Sequence, residues 1–262
     1  MRYNFPSLCF DNFYKDPDSV RDFALSLDGY TNKYGAHPGL RCKMIYEYNQ
    51  QFYRNSVDKF FSLFDDWNGA GASFNCSTFF QKIHRFSSDP SDPVNQGWIH
   101  HDGNVDIAGV IYLDPKPVSD NGTSFYQQKV GNTVSRIPAS VERILNGDNS
   151  RFYNVLDGDT PEYERIMGST ANGVGNTNYC KIDDIHWYRE NIVKNNEQFE
   201  LTMEVKNCYN RCIAYSGQQL HGQSNYWMSN EDDFRLAQVF FVFDLKLPSN
   251  FITTSRLDNY DI

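Results

Sequence analysis

The spacing of apolar residues changes near residue 73, and this change constrains the fold more than any other feature. Before it, apolar side chains recur at helical spacing in two segments. The first follows Asp16-Pro17, a typical helix start, and predicts a helix over about residues 17–27. The second predicts a helix whose wide apolar stripe consists of Tyr53, Val57, Phe60, Phe61 and Phe64.

Beyond residue 73 apolar residues alternate with polar ones or form β-branched and aromatic runs, which is typical of strands. Such segments cover residues 74–80, 107–113, 201–205 and 234–243. A short turn between residues 201–205 and 211–215 predicts a β-hairpin. We expect one domain over residues 1–262, mainly β with flanking helices (α+β). Residues 1–72 would be mostly helical support, and residues 73–127 and 199–246 would form the β core.

Residues 128–198 interrupt the β pattern. Turn residues follow one another closely there, as in Asn146-Gly147-Asp148-Asn149 and Asp157-Gly158-Asp159. Long insertions in compact domains are usually functional, so we interpret this segment as a candidate lid.

The charge of the chain limits its partners. A net charge of −9 and a pI near 5.1 disfavour duplex nucleic acid and anionic membranes. We find no signal peptide pattern and no apolar run long enough to span a membrane, so we expect a soluble, cytoplasmic protein. The six cysteines contain no CxxC pair and are expected to be reduced thiols, with a bond between Cys208 and Cys212 left open.

Two histidines and one aspartate are candidate metal ligands. His100 and Asp102 alternate on a strand and therefore face the same side, and His221 precedes a later strand. His101 is a rival ligand, but it points to the opposite face from His100. Two imidazoles and one carboxylate suit iron(II) and leave half of its coordination sphere open. Taken alone, a His-x-Asp motif is weak, because a histidine is more often a packed or surface residue.

The order of these residues resembles that of the iron(II)- and 2-oxoglutarate-dependent oxygenases, in particular the prolyl-4-hydroxylase-like branch. Over about residues 74–245, His100-x-Asp102 is followed by Tyr112-Leu113, the turn Asn121-Gly122-Thr123, His221 and Arg235. Residues 9–17 and 38–41 are similar to an uncharacterised bacterial and phage subgroup. The His221-to-Arg235 gap is longer than the family's common spacing, and the turn has one glycine where many relatives have two.

The resemblance implies a double-stranded β-helix, that is, a cupin-like jelly roll. It implies that His100, Asp102 and His221 bind Fe(II), and that Arg235 pairs with the distal carboxylate of 2-oxoglutarate. Tyr112 would bind the same carboxylate or be a core aromatic residue. The implied reaction consumes O2 and 2-oxoglutarate, releases succinate and CO2, and hydroxylates a peptide, amino acid or other small molecule. Candidate pocket residues are Gln81, Trp98 and Trp227.

Two other functions stay open at this point. One is a non-catalytic jelly-roll binding or structural module, for example a viral component, with an incidental or structural metal. It predicts that His100, Asp102 and His221 lie far apart. The other is a metal-dependent isomerase or cupin-type dioxygenase without 2-oxoglutarate, which Arg235 disfavours.

Overall fold

The computed structural model describes most of the chain outside residues 130–188. The described residues are 7–31, 38–64, 72–102, 105–118, 121–129, 189, 192–193, 195–230 and 232–247. Nearly all of the predicted insertion at 128–198 therefore lies outside the described residues, and its role as a lid stays a prediction. None of the described helices is long and apolar enough to cross a membrane.

Three α-helices of the described residues lie near the amino terminus, and the apolar spacing predicted the first and the third of them. They are α1 (Pro17–Ser26), α2 (Ile45–Tyr48) and α3 (Gln50–Phe61). Side-chain caps fix two of their starts: Asp16 accepts a hydrogen bond from the Ser19 amide, and Asn49 accepts one from the Phe52 amide. Such caps satisfy amide groups that have no partner within the helix.

Nine strands form two antiparallel sheets in the described part of the chain. The strands are β1 (Leu8–Phe10), β2 (Leu40–Arg41), β3 (Ser73–Ile83), β4 (Ile107–Tyr112), β5 (Thr123–Gln128), β6 (Phe199–Val205), β7 (Cys212–Ser216), β8 (His221–Gln223) and β9 (Arg235–Lys246). The large sheet has the order β1-β7-β4-β9-β3-β2, and the small sheet has the order β6-β5-β8.

The path of the chain between the sheets is that of a jelly roll. After β3 in the large sheet, His100 makes an antiparallel bridge to His221 of β8 in the small sheet. The chain then passes through β4 (large), β5 and β6 (small), β7 (large), β8 (small) and β9 (large). This alternation makes a double-stranded β-helix, so the predicted fold, mainly β with flanking helices, is confirmed.

The predicted hairpin between residues 201–205 and 211–215 is wrong. Strand β6 pairs with β5, whereas β7 pairs with β1 and β4 of the other sheet. The connection between them crosses from one sheet to the other, with Asn210 in the left-handed region at φ 63°. Leu201 and Met203 alternate like core residues but are 55% and 42% exposed, and their strand, β6, lies at the edge of the small sheet.

The two faces of the large sheet pack against different parts of the protein. One face packs against a helix, and the other faces the interior that contains the candidate site. Helix α3 covers one face, where the ring of Phe60 stacks on that of Phe240 at 4.5 Å and lies directly over Gly109. The other face meets the small sheet, and there the rings of Phe125 and Tyr215 lie 5.1 Å apart. The described cysteines, which exclude Cys180, are free thiols, so Cys208 and Cys212 are not bonded to each other.

Candidate metal and cosubstrate site

The three predicted metal ligands meet at one end of the roll. One ligand atom each from His100, Asp102 and His221 lies within 4.8 Å of the others. Oδ1 of Asp102 lies 3.5 Å from Nε2 of His100, and Oδ2 of Asp102 lies 3.6 Å from Nε2 of His221. His221 is buried, whereas the His100 side chain is 37% exposed, so the cluster is open to solvent on the His100 side.

Backbone carbonyls orient both imidazoles. Nδ1 of His100 lies 2.7 Å from the Trp98 carbonyl, and Nδ1 of His221 lies 2.8 Å from the Gln219 carbonyl. A carbonyl only accepts, so each Nδ1 carries a proton, and Nε2 of the neutral ring presents a lone pair toward Asp102. Histidines that bind metals are commonly oriented in this way.

The three groups interact electrostatically. Burial would lower the pKa of His100, but the hydrogen bond that its protonated ring donates to Asp102 and the charge of that carboxylate raise it. Burial lowers the pKa of His221 to about 4, against the attraction of Asp102. Burial would raise the pKa of Asp102, but the two imidazoles and Arg41 hold it below its ordinary value. His221 is therefore neutral and Asp102 ionised near pH 7, the states in which both bind metals.

A metal ion fits this arrangement. Oδ2 of Asp102 is buried and has no hydrogen-bond partner among the described residues. A lone pair on the neutral His221 imidazole faces that oxygen, so two acceptors point at each other. A cation between them would satisfy both, and a set of two nitrogens and one oxygen suits iron(II).

Arg235 lies at the start of β9 with a fully buried side chain. Its three guanidinium nitrogens have no hydrogen-bond partner among the described residues. The guanidinium carbon lies 4.9 Å from the centre of the Tyr112 ring, which gives a cation–π contact. The charge of the buried Asp114 acts on Arg235, but Asp114 makes no hydrogen bond to its guanidinium. Buried charges are ordinarily paired, so this arginine indicates a site for an anion.

The Tyr112 side chain is fully buried on β4 beside this arginine. Its hydroxyl lies 2.8 Å from the hydroxyl of Thr123 on β5, so the residue links the two sheets. Burial raises the pKa of Tyr112, against the attraction of Arg235. This position is compatible with both roles predicted from the sequence, a ligand of the 2-oxoglutarate carboxylate and a core aromatic residue. The cosubstrate role of Tyr112 stays a prediction.

Tyr215 lies near both the metal ligands and Arg235, and it was not among the site residues predicted from the sequence. Its ring lies 4.7 Å from that of His221. Burial and the charge of Asp102 raise the pKa of its phenol, and the charge of Arg235 opposes that rise. The triad and the buried arginine therefore share one interior, with Tyr215 near both. The only sequence signal was its place in a strand that leads to His221.

The three predicted pocket residues have different surroundings. Gln81 is buried and accepts a hydrogen bond from Nε of Arg41 at 2.9 Å. Trp98 orients His100 through its carbonyl, while its ring packs against a small apolar cluster around Tyr226. Trp227 donates from its indole to the Ser88 carbonyl. A pocket role for these three residues stays a prediction.

No family model and no curated protein matches the chain. Similar solved structures include HygX from Streptomyces hygroscopicus with iron bound, at 13% identity and TM-score 0.45, covering 95% of this chain and 85% of that one. The α-ketoglutarate-dependent epimerase SnoN from nogalamycin biosynthesis has 11% identity and TM-score 0.47 over 93% and 79%. AviO1 from Streptomyces viridochromogenes Tue57 has 11% identity and TM-score 0.45 over 96% and 93%. These scores are all below 0.5, so the fold assignment rests on the strand order.

Proposed function

We propose that the protein is an iron(II)- and 2-oxoglutarate-dependent dioxygenase. His100, Asp102 and His221 would hold the iron, and Arg235 would bind the distal carboxylate of 2-oxoglutarate. The reaction would hydroxylate a C–H bond of a peptide, amino acid or other small molecule, with release of succinate and CO2. Placement in the prolyl-4-hydroxylase-like branch, and in its bacterial and phage subgroup, is a finer part of this proposal that rests on the sequence motifs.

The observation that carries the proposal is the buried guanidinium of Arg235, whose nitrogens have no hydrogen-bond partner among the described residues. Arginine stays protonated in proteins, and an isolated buried charge costs several kcal/mol even after relaxation. A carboxylate removes this cost with two parallel hydrogen bonds, because its two oxygens match the planar guanidinium. An anion with carboxylates at both ends suits an interior that holds a cation site and a buried arginine.

The residues of the chain would position the reactants and exclude water. The two Nδ1–carbonyl hydrogen bonds hold the imidazoles in the tautomer that binds metal. Tyr215 and Phe125 are buried between the sheets, and the surroundings of low dielectric constant that they provide would strengthen the attraction between Arg235 and a carboxylate. The metal, when bound, supplies the redox chemistry with O2 that no amino-acid side chain provides.

The alternatives from the sequence fit this arrangement less well. A non-catalytic module gives no reason for two imidazoles and a carboxylate to lie within 4.8 Å of one another. A metal enzyme without 2-oxoglutarate gives no reason for an unpaired arginine in the same interior. Both alternatives predict that the protein does not bind 2-oxoglutarate.

Anaerobic binding measurements test the proposal without knowledge of the substrate. Metal-free protein is loaded with Fe(II) and titrated with 2-oxoglutarate, and the charge-transfer absorption and binding heat are recorded. We expect His100→Ala to lose iron binding. Arg235→Gln should retain iron but lose 2-oxoglutarate affinity by more than about tenfold. Arg54→Gln, the same change on the exposed surface of α3, is the matched control. Unchanged 2-oxoglutarate affinity in Arg235→Gln would refute the assignment.

Admission of air then tests the reaction. Wild-type protein should convert 2-oxoglutarate to succinate, and His100→Ala should not. Mass spectrometry of a candidate substrate separates hydroxylation, which adds one oxygen atom, from a rearrangement, which adds none.

A further inference from the structure

A second arginine faces the interior of the roll. Arg41 lies on β2, where its backbone pairs with Gln81 of β3. The carbon of its guanidinium lies 5.0 Å from the centre of the Phe241 ring. Phe241 and Arg235 are six residues apart on β9 and so project from the same face of the large sheet. The Arg41 side chain therefore reaches over the face that carries the buried arginine.

The Arg41 guanidinium is oriented but not neutralised within the described residues. Its Nε donates to Oε1 of Gln81, whose own amide donates to the Pro38 carbonyl. The described part of the chain places no carboxylate within salt-bridge distance of it. Burial lowers the pKa of Arg41 to about 10, which the charge of Asp102 opposes, so the residue stays charged near pH 7. Arg41 is thus a positively charged side chain that Gln81 orients and that lies near the candidate metal site.

If the proposed function is right, the anions of this interior already have other partners. Asp102 binds the metal, the distal carboxylate of 2-oxoglutarate pairs with Arg235, and the charge of Asp114 also acts on Arg235. Arg41 is then the cation that still lacks an anion within salt-bridge distance among the described residues. We infer that Arg41 binds the anionic group of the substrate, which is a small molecule carrying a carboxylate or a phosphate monoester. The planar guanidinium suits both groups.

Matched pairs of probes test this inference by binding, without turnover. Protein loaded with Zn(II) and 2-oxoglutarate is titrated with N-acetyl amino acids and their methylamides, and with sugar phosphates and the parent sugars. Ligand-observed NMR gives the affinities. We expect at least one anionic probe to bind about tenfold or more tightly than its neutral partner. The carboxylate and phosphate pairs show which anion the site prefers.

Variants test whether Arg41 causes the preference for the anionic probe. Arg41→Gln should abolish it, Arg41→Lys should retain part of it, and Arg54→Gln should leave it unchanged. The 2-oxoglutarate affinity, measured by calorimetry, should stay within about twofold in Arg41→Gln. The inference is overturned if no pair shows an anion preference, if the preference survives Arg41→Gln, or if that variant loses 2-oxoglutarate instead. Failure of the wild type to bind 2-oxoglutarate at all would count against the proposed function.

Discussion

Replacement of Arg235 by methionine should stabilise the ligand-free protein. The guanidinium is fully buried, and its nitrogens lack hydrogen-bond partners among the described residues. A buried ion costs several kcal/mol after relaxation. The cation–π contact with Tyr112 returns roughly 2 kcal/mol, and the charge of Asp114 attracts the arginine as well. The net cost that methionine removes is therefore on the order of 2 kcal/mol.

Binding of 2-oxoglutarate should make the wild type more stable than Arg235→Met, the reverse of the order without 2-oxoglutarate. For a chain of this size, roughly 2 kcal/mol corresponds to about 4–8 °C in Tm. Wild-type protein with metal gains about 2.7 kcal/mol when 2-oxoglutarate is present at one hundred times its Kd, and Arg235→Met should gain almost nothing. The variant should thus unfold at the higher temperature without ligand and at the lower temperature with it.

Differential scanning calorimetry of metal-loaded protein with and without 2-oxoglutarate makes this measurement. Arg54→Met on the exposed face of α3 is the control and should change stability by less than about 0.5 kcal/mol in either condition. If Arg235→Met destabilises the ligand-free protein by 2 kcal/mol or more, the guanidinium has a protein partner. The reasoning from an unpaired buried charge would then be wrong.

Three further changes test the fold and the support of the site. Gly109→Ala would overlap an aromatic ring of α3 and should lower the free energy of unfolding by about 1–3 kcal/mol in urea titrations. Gly217→Ala would overlap the Val105 carbonyl next to the metal site, so dialysis should show roughly tenfold weaker iron binding. The hydrogen bond from Arg189 lowers the pKa of Asp92, so its stabilisation is present above about pH 4 and is lost as the pH falls further. Urea unfolding from pH 6 to 3 should therefore show a larger loss of stability in the wild type than in Asp92→Asn, in which the other carboxylates with lowered pKa still titrate.

Local periodicity explains what the sequence could predict. The helix after Asp16-Pro17 and the alternating strand β3 are set by residues close together in the chain, and both occur where the pattern predicts them. His100 and Asp102 were assigned to one face because strand side chains alternate, and their ligand atoms do meet. In these cases the decisive spacing lies within one element.

Strand pairing and partners across the roll could not be predicted in the same way. The pattern of β6 suggested a strand that pairs with β7 in a hairpin, but the chain crosses to the other sheet between them. Arg41 lies next to the interior only because β2 joins the edge of the large sheet, beside a strand 40 residues further along. Tyr215 likewise becomes a site residue only after the two sheets close. A single sequence carries no local signal for these long-range pairings.

Backbone hydrogen bonds fix the spacing of the three candidate ligands before any metal binds. His100 and His221 exchange two amide–carbonyl bonds at 2.9 and 2.8 Å, and the Asp102 amide donates to the Gly217 carbonyl at 2.7 Å. These bonds tie the segment before β4 to β8 and to the end of β7, so the ligands sit on connected parts of the roll. A site held in this way loses little conformational freedom when it binds a cation. The metal-binding groups come from segments far apart in the sequence because these hydrogen bonds join segments that become neighbours only when the chain has crossed between the two sheets.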